Sequence, residues 1–302
     1  MMLDISVVIP TYNRFDTLQY VVPALLASDL PADRYELLVC DSRSTDPTAE
    51  YLKHVADEHP NVRHLPGPYT GRAAARNAGI AAAHGEIVLF NDSDILASPD
   101  LLSQHLRRHR ERTGIAVVGW EVQVKDLADY ELKRERPQAR GQLHPPGRKR
   151  LSWLYFLTGN ASVRRDDLLR VGGFDESFTG YGHEDLELGY RLQQAGLEIV
   201  YDALAVSYHC QDVGYADQKK KMMLAGRSTV RFYRKHPDLA VKVNLGMTPI
   251  SLGLHTVLTR APLLLGYLDR NAGHSKFARD VVEQYYYVSG IKEALAERKG
   301  NL

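Results

Sequence analysis

Within the first ninety residues, short apolar runs alternate with helical patterns, and three of the runs stop abruptly at polar clusters. Ile5-Ser6-Val7-Val8-Ile9 ends at Pro10 before Thr11-Tyr12-Asn13-Arg14. Glu36-Leu37-Leu38-Val39-Cys40 runs into Asp41–Asp46, and Glu86–Phe90 into Asn91-Asp92-Ser93-Asp94. Apolar runs of this length, bounded by turn residues, read as strands buried on both faces. Between them, 16–28, 47–58 and 71–83 carry apolar spacing near 3.6 and predict helices, while 61–65 predicts a further short strand. Strands that alternate with helices pair in parallel, which predicts an α/β fold: a three-layer α/β/α sandwich on a mainly parallel sheet. In such sheets ligands sit beyond the carboxyl ends of the strands, where the three polar clusters fall.

The rest of the chain is organised differently. Ile115–Val124, around Trp120, and Ser162-Val163-Arg164 predict strands, followed by a turn at Gly172-Gly173, a helix over 184–195 and a strand over 197–201. Residues 133–150, KRERPQARGQLHPPGRKR, are basic and rich in Pro and Gly, and predict a long loop. From about 216 the pattern is helical, so the expected organisation is a 1–215 catalytic-type domain and a 216–302 helical extension. With 44% hydrophobic and 25% charged residues the chain is not a disordered one. Its 38 basic and 37 acidic residues leave +1, which gives no electrostatic footprint for nucleic acid. Two cysteines, Cys40 and Cys210, exclude a disulfide framework and point to a reducing compartment; both read as small buried residues. Met1-Met2-Leu3-Asp4 lacks a basic and apolar leader, so the expected location is cytoplasmic.

Several residues have the chemistry of a site. Asp92 and Asp94, two apart in a turn, can converge on one hard cation, although Asp also marks ordinary turns. Asp41 can accept a base N–H or bond a ribose hydroxyl, or simply hold its turn or cap the following helix. Arg76, in Gly71-Arg72-Ala73-Ala74-Ala75-Arg76-Asn77-Ala78-Gly79, can offer a bidentate fork to phosphate or be a solvated helix arginine. In the same segment, small residues allow close packing on the sheet. Glu184 and Asp185 open a helix inside a glycine- and aromatic-rich stretch. One of them can hold a substrate hydroxyl while the other takes its proton, or each can cap the helix. His209 can complete a metal site or pack in the core.

Taken in order, Val-Val-Ile-Pro-Thr-Tyr-Asn-Arg (7–14), Cys-Asp-Ser-Arg-Ser-Thr-Asp (40–46), the 71–79 segment, Asn-Asp-Ser-Asp (91–94) and Gly-Tyr-Gly-His-Glu-Asp-Leu-Glu-Leu-Gly-Tyr-Arg (180–191) resemble a family 2 glycosyltransferase with a GT-A fold, over about residues 4–212. The later segment also resembles the carboxyl-terminal half of galactosyl- and N-acetylgalactosaminyltransferase domains. The resemblance implies an inverting, metal-dependent transfer from a nucleotide diphosphate sugar, expected to be a UDP-sugar, to a saccharide or glycolipid hydroxyl. It implies donor contacts from Pro10, Thr11, Asp41, Arg76 and Asp92, Mn²⁺ or Mg²⁺ on Asp94 and His209, Asp185 as catalytic base and Glu184 on the acceptor. Trp153 and Tyr181 join the expected acceptor side, with Tyr155 and the 133–150 loop. Asp41-Ser42-Arg43 departs from the family's Asp-Asp-Gly or Asp-Asn-Gly at a position that contacts uracil in some members, which leaves the nucleotide open.

Other classes fit less well. A sugar nucleotidyltransferase would want a glycine-rich phosphate loop where Thr11–Arg14 has none, and a processive synthase a Gln-x-x-Arg-Trp segment with several spans. The alternative is a non-catalytic carbohydrate-binding or scaffold protein of the same fold. In the tail, Leu254, Val257, Leu258, Ala261, Leu264, Leu265 and Leu268 recur at helical spacing. Two readings stand for this stripe: a helix packed on its own domain, or an interfacial helix on the cytoplasmic face of a membrane, helped by the Lys219–Lys221 and Arg227–Lys235 clusters.

Overall fold

The computed structural model describes residues 3–141, 150–210 and 214–297. The elements of its first part are β1 (Ile5–Thr11), α1 (Phe15–Leu26), β2 (Tyr35–Asp41), α2 (Thr48–Glu58), β3 (Val62–Pro66), α3 (Gly71–Ala82), β4 (Ile87–Asn91), β5 (Ile95–Ala97), α4 (Leu101–Glu111), β6 (Ile115–Val124), α5 (Leu127–Glu135), β7 (Arg150–Leu151), β8 (Asn160–Arg164), α6 (Arg165–Val171), α7 (Glu184–Gln194) and β9 (Glu198–Cys210). The second part is helical: α8 (Tyr215–Lys235), α9 (Leu239–Asn244), α10 (Pro249–Arg260), α11 (Pro262–Asn271) and α12 (Lys276–Ala296). Two compact units result. One holds residues 3–179 and 184–210; the other holds 180–183 together with 214–297.

In the first unit a single mixed sheet runs β3-β2-β1-β4-β8-β6-β9-β5, with β7 on β9. The β3-β2-β1-β4 half is parallel, and β8 is antiparallel to both β4 and β6. Every residue of β1, β2 and β4 is buried, which is why these strands read as continuous rather than alternating apolar runs. Each such Val, Leu or Ile contributes about 1.5–3 kcal/mol by leaving water. Helix α3 closes on this half because Gly79 has no side chain: a Cβ there would run into Val8.

The sheet also holds a buried polar chain. His105 and His109, one turn apart on α4, both reach Ser162 Oγ, through Nδ1 at 2.8 Å and Nε2 at 2.9 Å respectively. His105 Nε2 meets Asn160 Oδ1 at 2.8 Å, and Asn160 Nδ2 donates to Ala205 O and Ser207 Oγ. One proton order connects this chain with both rings neutral, and leaves His109 Nδ1 without a partner among the described residues. His109 donates to Ser162, Ser162 to His105, His105 to Asn160, and Asn160 onward to β9. Burial pushes the two imidazoles down, His105 to about 4 and His109 to about 3.

Four expectations are corrected. The basic 133–150 segment is not all loop: it begins in the last turn of α5 and continues through a 3₁₀ turn, Pro137–Arg140, and residues 142–149 lie outside the described residues. Two guanidinium groups lie over rings, Arg134 on Tyr130 and Arg140 on Tyr208. The strand expected at 197–201 continues to Cys210, because a bulge at 203–205 absorbs the register shift between Gly119 and Trp120 of β6. Cys210, at its end, is partly exposed. Finally, the stripe of the tail is not a core face. Leu258 is buried, but Leu254, Val257 and Leu264 are exposed, together with Ile250, Leu263 and Tyr267. The second unit is held instead by α8 against α12, whose backbones touch where Gly226 meets Tyr287 O and Gly290 meets Met223 O. Val230, Met247, Ile291 and Ala294 fill the space beside that crossing. No helix among the described residues is long and apolar enough to cross a membrane.

Candidate active site

Sheet order β2-β1-β4 sets the ends of these strands side by side. Thr11 is the register partner of Asp41, and both are buried. Pro10 is buried beside them. Asp41 Oδ1 accepts from Ser44 N at 3.0 Å and Ser44 Oγ at 2.6 Å, so Asp41 does hold its turn, while Oδ2 faces His64 Nε2 at 3.3 Å. Thr11 Oγ1 has no hydrogen-bond partner among the described residues.

The Asp92–Asp94 turn is fixed from three sides. Asn91 Nδ2 donates to Asp92 O and Ile95 O, Thr17 Oγ1 donates to Ser93 O, and Cys210 N donates to Asp94 O. Pairing of Ile95 with His209 then sets Asp94 against the end of β9. His209 Nε2 lies 3.7 Å from Asp94 Oδ1, and its Nδ1 lies 2.8 Å from Glu121 Oε1. Burial raises the Asp94 pKa, but His209 and the Arg14 charge outweigh it and leave the carboxyl below its usual range. Burial likewise opposes protonation of His209, but Asp94 and Glu121 outweigh it and lift the imidazole to about 10. Among the described residues no group of three or more His, Cys, Asp or Glu is spaced to hold a metal. Asp94 and His209 make a two-donor set, which fits a hard cation whose other positions are filled by diphosphate oxygens and water. Glu121 on the far ring nitrogen is the carboxylate–histidine pattern that exposes Nε2 to a metal.

Helix α3 supplies the centre of the site. Arg76 is 1% exposed and donates to Asp92 Oδ1 at 2.7 Å and Glu184 Oε1 at 3.2 Å, over the Phe174 ring. It is therefore no solvated helix arginine: its two terminal nitrogens meet two carboxylates, and its Nε has no hydrogen-bond partner among the described residues. Arg72 Nε lies 3.4 Å from the same Glu184 oxygen. Asn77 pins the glycine turn by accepting from Phe174 N and donating to Phe174 O and Glu176. Arg191 anchors α7 to the same turn through Val171 O and Gly173 O.

At the start of α7 two adjacent carboxylates are driven apart. Burial raises Glu184, but Arg72 and Arg76 outweigh it and hold its pKa below the usual range. Asp185 Oδ1 accepts from Leu186 N at 2.8 Å, and burial, then the Glu184 charge, push it up to about 7. One carboxylate stays ionised while its neighbour exchanges a proton near neutral pH, which is how acid and base roles are divided between neighbours.

Two expected acceptor residues are placed differently. Trp153 is 6% exposed and stands edge-on to the Tyr190 ring of α7 at 5.7 Å, so it packs against that helix. Tyr181 belongs to the helical unit, with Lys221 Nζ 5.4 Å from its ring centre. Sequence reasoning missed Glu121, Arg72, Asn77 and Phe174 as site residues. A glutamate in the mainly apolar β6 was the available signal for Glu121.

Residues 6–172 match the family model for glycosyl transferase family 2, and 144–209 match that for the N-terminal domain of galactosyltransferase. Validoxylamine A glucosyltransferase of Streptomyces hygroscopicus subsp. jinggangensis is 30% identical over 78% of this chain and 61% of its own length. A pre-mycofactocin glycosyltransferase of Mycobacterium tuberculosis is 29% identical over 78% of this chain and 48% of its own. The chain thus spans about half to three-fifths of the length of these curated relatives. Among solved structures, the Pyrobaculum calidifontis mannosyltransferase in complex with GDP-Man and Mn²⁺ aligns with a TM-score of 0.68 at 20% identity, covering 98% of this chain and 88% of that one. TarS 1–349 of S. aureus aligns at 0.61 and 18% identity, covering 99% and 92%. The fold is the GT-A fold, and the chain belongs to glycosyltransferase family 2.

Proposed function

We propose that this chain is an inverting, metal-dependent glycosyltransferase that moves a sugar from a nucleotide diphosphate sugar to a hydroxyl of a saccharide or glycolipid acceptor. The observation that carries the reading is the single buried guanidinium of Arg76, which ties Asp92 at the end of β4 to Glu184 at the head of α7. A donor-side carboxylate and an acceptor-side carboxylate are thereby locked in one frame, with Asp185 beside it. Asp185 takes the acceptor proton as the new C–O bond forms and the diphosphate departs with its electron pair from the opposite face. Glu184, kept ionised by Arg72 and Arg76, orients the acceptor. Thr11 and Asp41 face the nucleoside. Asp94 and His209 would hold Mn²⁺ or Mg²⁺, and Glu121 would fix the His209 tautomer. When bound, the cation supplies Lewis-acid neutralisation of the leaving diphosphate. UDP is the expected nucleotide; neighbours of this fold were solved with GDP-Man and with UDP-GlcNAc.

The test is nucleotide release from UDP-glucose, UDP-GlcNAc and GDP-Man, with and without Mn²⁺, for the wild type and Asp185→Asn. Loss of a general base costs about 10²–10⁴-fold, so the variant should lose turnover in that range while still binding UDP with Mn²⁺. Wild-type turnover in Asp185→Asn would sink the assignment. The reading includes peripheral membrane contact through α10 and α11, supported by exposed Ile250, Leu254, Val257 and Leu263 and by Arg260 and Arg270. Flotation of the full chain with anionic but not neutral vesicles is expected; no flotation with either removes this part.

A further inference from the structure

The four residues that precede Glu184 belong to the helical unit, and one stripe of α8 holds them. Lys221 lies against the Tyr181 ring, a Cβ on Gly182 would meet Ala225 at 3.4 Å, Ser228 Oγ donates to Tyr181 O at 3.0 Å, and Thr229 Oγ1 lies 2.7 Å from His183 Nε2. Positions 221, 225, 228 and 229 follow the i, i+4, i+7, i+8 spacing of one helix face. From α12, the Tyr287 hydroxyl meets Thr229 at 2.5 Å and donates to Leu245 O at 3.0 Å. Its ring stands edge-on to His183 at 6.3 Å.

The backbone held in this way is strained. Gly182 has φ +87° and His183 has φ +74°. A left-handed conformation is natural for glycine but unfavourable for a residue with a Cβ. Such a residue persists where its surroundings over-determine it, and here the surroundings are Thr229 and Tyr287. His183 is the last residue before α7, so its conformation sets the direction in which the chain enters that helix. Asp185 projects from the second residue of α7.

We propose that Thr229 and Tyr287 are positioning residues for the reaction: by fixing the His183 ring they hold the strained backbone that aims Asp185. This rests on Asp185 being the base, and it gives the C-terminal helices a part in turnover as well as in folding. Misplacing a catalytic group by about an ångström costs about 10²-fold.

The experiment compares Thr229→Val, Thr229→Ser, Tyr287→Phe and Asp185→Asn in the full chain. It measures kcat and KM for nucleotide release from UDP-glucose, UDP-GlcNAc and GDP-Man with Mn²⁺, UDP–Mn²⁺ affinity by calorimetry, and thermal unfolding. Thr229→Val keeps the shape and removes the hydroxyl. It should lower kcat about 10–100-fold, with KM and UDP affinity within about twofold of wild type, and Thr229→Ser should restore kcat. Should Thr229→Val fail to fold, Tyr287→Phe carries the same expectation of a kcat loss at unchanged UDP affinity. If Asp185→Asn is inactive while the folded Thr229 and Tyr287 variants turn over like wild type, the positioning proposal is overturned and the base assignment stands. A parallel loss of kcat, UDP affinity and melting temperature, unrepaired by serine, also overturns it, as a purely structural role. An active Asp185→Asn overturns the base assignment itself.

Discussion

Replacing Arg76 by methionine removes a charge from the best-buried part of the site and nearly keeps the volume. The guanidinium is 1% exposed and serves two carboxylates at once, one of which, Glu184, is itself almost fully buried. Taking away one partner of a buried ion pair costs about 3–5 kcal/mol, because the remaining charge is left without solvent or partner. Two features place this case at the low end: the Asp92 side chain is a quarter exposed and can regain water, and Arg72 still approaches Glu184 at 3.4 Å. A loss of about 3 kcal/mol is expected, which lowers the melting temperature of a unit of this size by about 6–12 °C. In Arg76→Met/Glu184→Gln the orphan charge is gone, so the double variant should be more stable than the two single losses predict, by about 1.5–3 kcal/mol. Urea unfolding of the four proteins gives that coupling energy. The pH dependence has a defined sign. In the wild type the depressed Glu184 pKa contributes stability above the ordinary glutamate range, and this is lost as pH falls through the folded value. Without Arg76, burial raises that pKa instead, so the deficit of Arg76→Met should shrink as pH falls toward 5. Additivity within about 0.5 kcal/mol at pH 7 would refute the bridging role.

Three further outcomes are expected. Turnover should fall as pH drops through about 7, where Asp185 takes up a proton, and a pH–rate profile of kcat/KM reads this limb directly. Glu121→Ala should weaken Mn²⁺ binding in the presence of UDP by about 10–100-fold in calorimetry, while Glu121→Gln, which keeps an acceptor oxygen for Nδ1–H, should lose less. His105 and His109 are held neutral, with folded pKa values below the unfolded 6.5. Their contribution is complete above pH 6.5 and is lost as pH falls toward 4. The urea midpoint should drop over that window, and less steeply for His105→Gln; an unchanged slope in the variant speaks against the buried neutral pair.

The parallel half of the sheet was legible because buried strands leave an unbroken apolar signature, and the polar ends of β1, β2 and β4 stand out against it. Other elements were hidden for physical reasons. Helix α4 reads as polar, since two of the side chains it buries are histidines that hydrogen-bond to Ser162 and Asn160. Strand β5 has only three residues and exists through its pairing with β9. At the site, Asp94, His209, Glu184 and Asp185 were found as residue types, but their partners were not. That Arg76 is a buried bridge depends on Asp92 and Glu184, 16 and 108 residues away in sequence, and no local pattern encodes such a meeting. Trp153 shows a different limit. An aromatic near a catalytic motif looks like a sugar platform, and its packing edge-on against Tyr190 is visible only in the fold.

The excursion of residues 180–183 into the helical unit has a consequence for recombination. The chain passes between the two units at three places, on either side of 180–183 and again between Cys210 and Gly214. A chimera that exchanges the tail with a relative's at the last junction alone would pair a foreign helix with the native Tyr181-Gly182-His183. A working swap needs two inserts exchanged together, the tetrapeptide and the tail, so the helical unit is inherited as a discontinuous module.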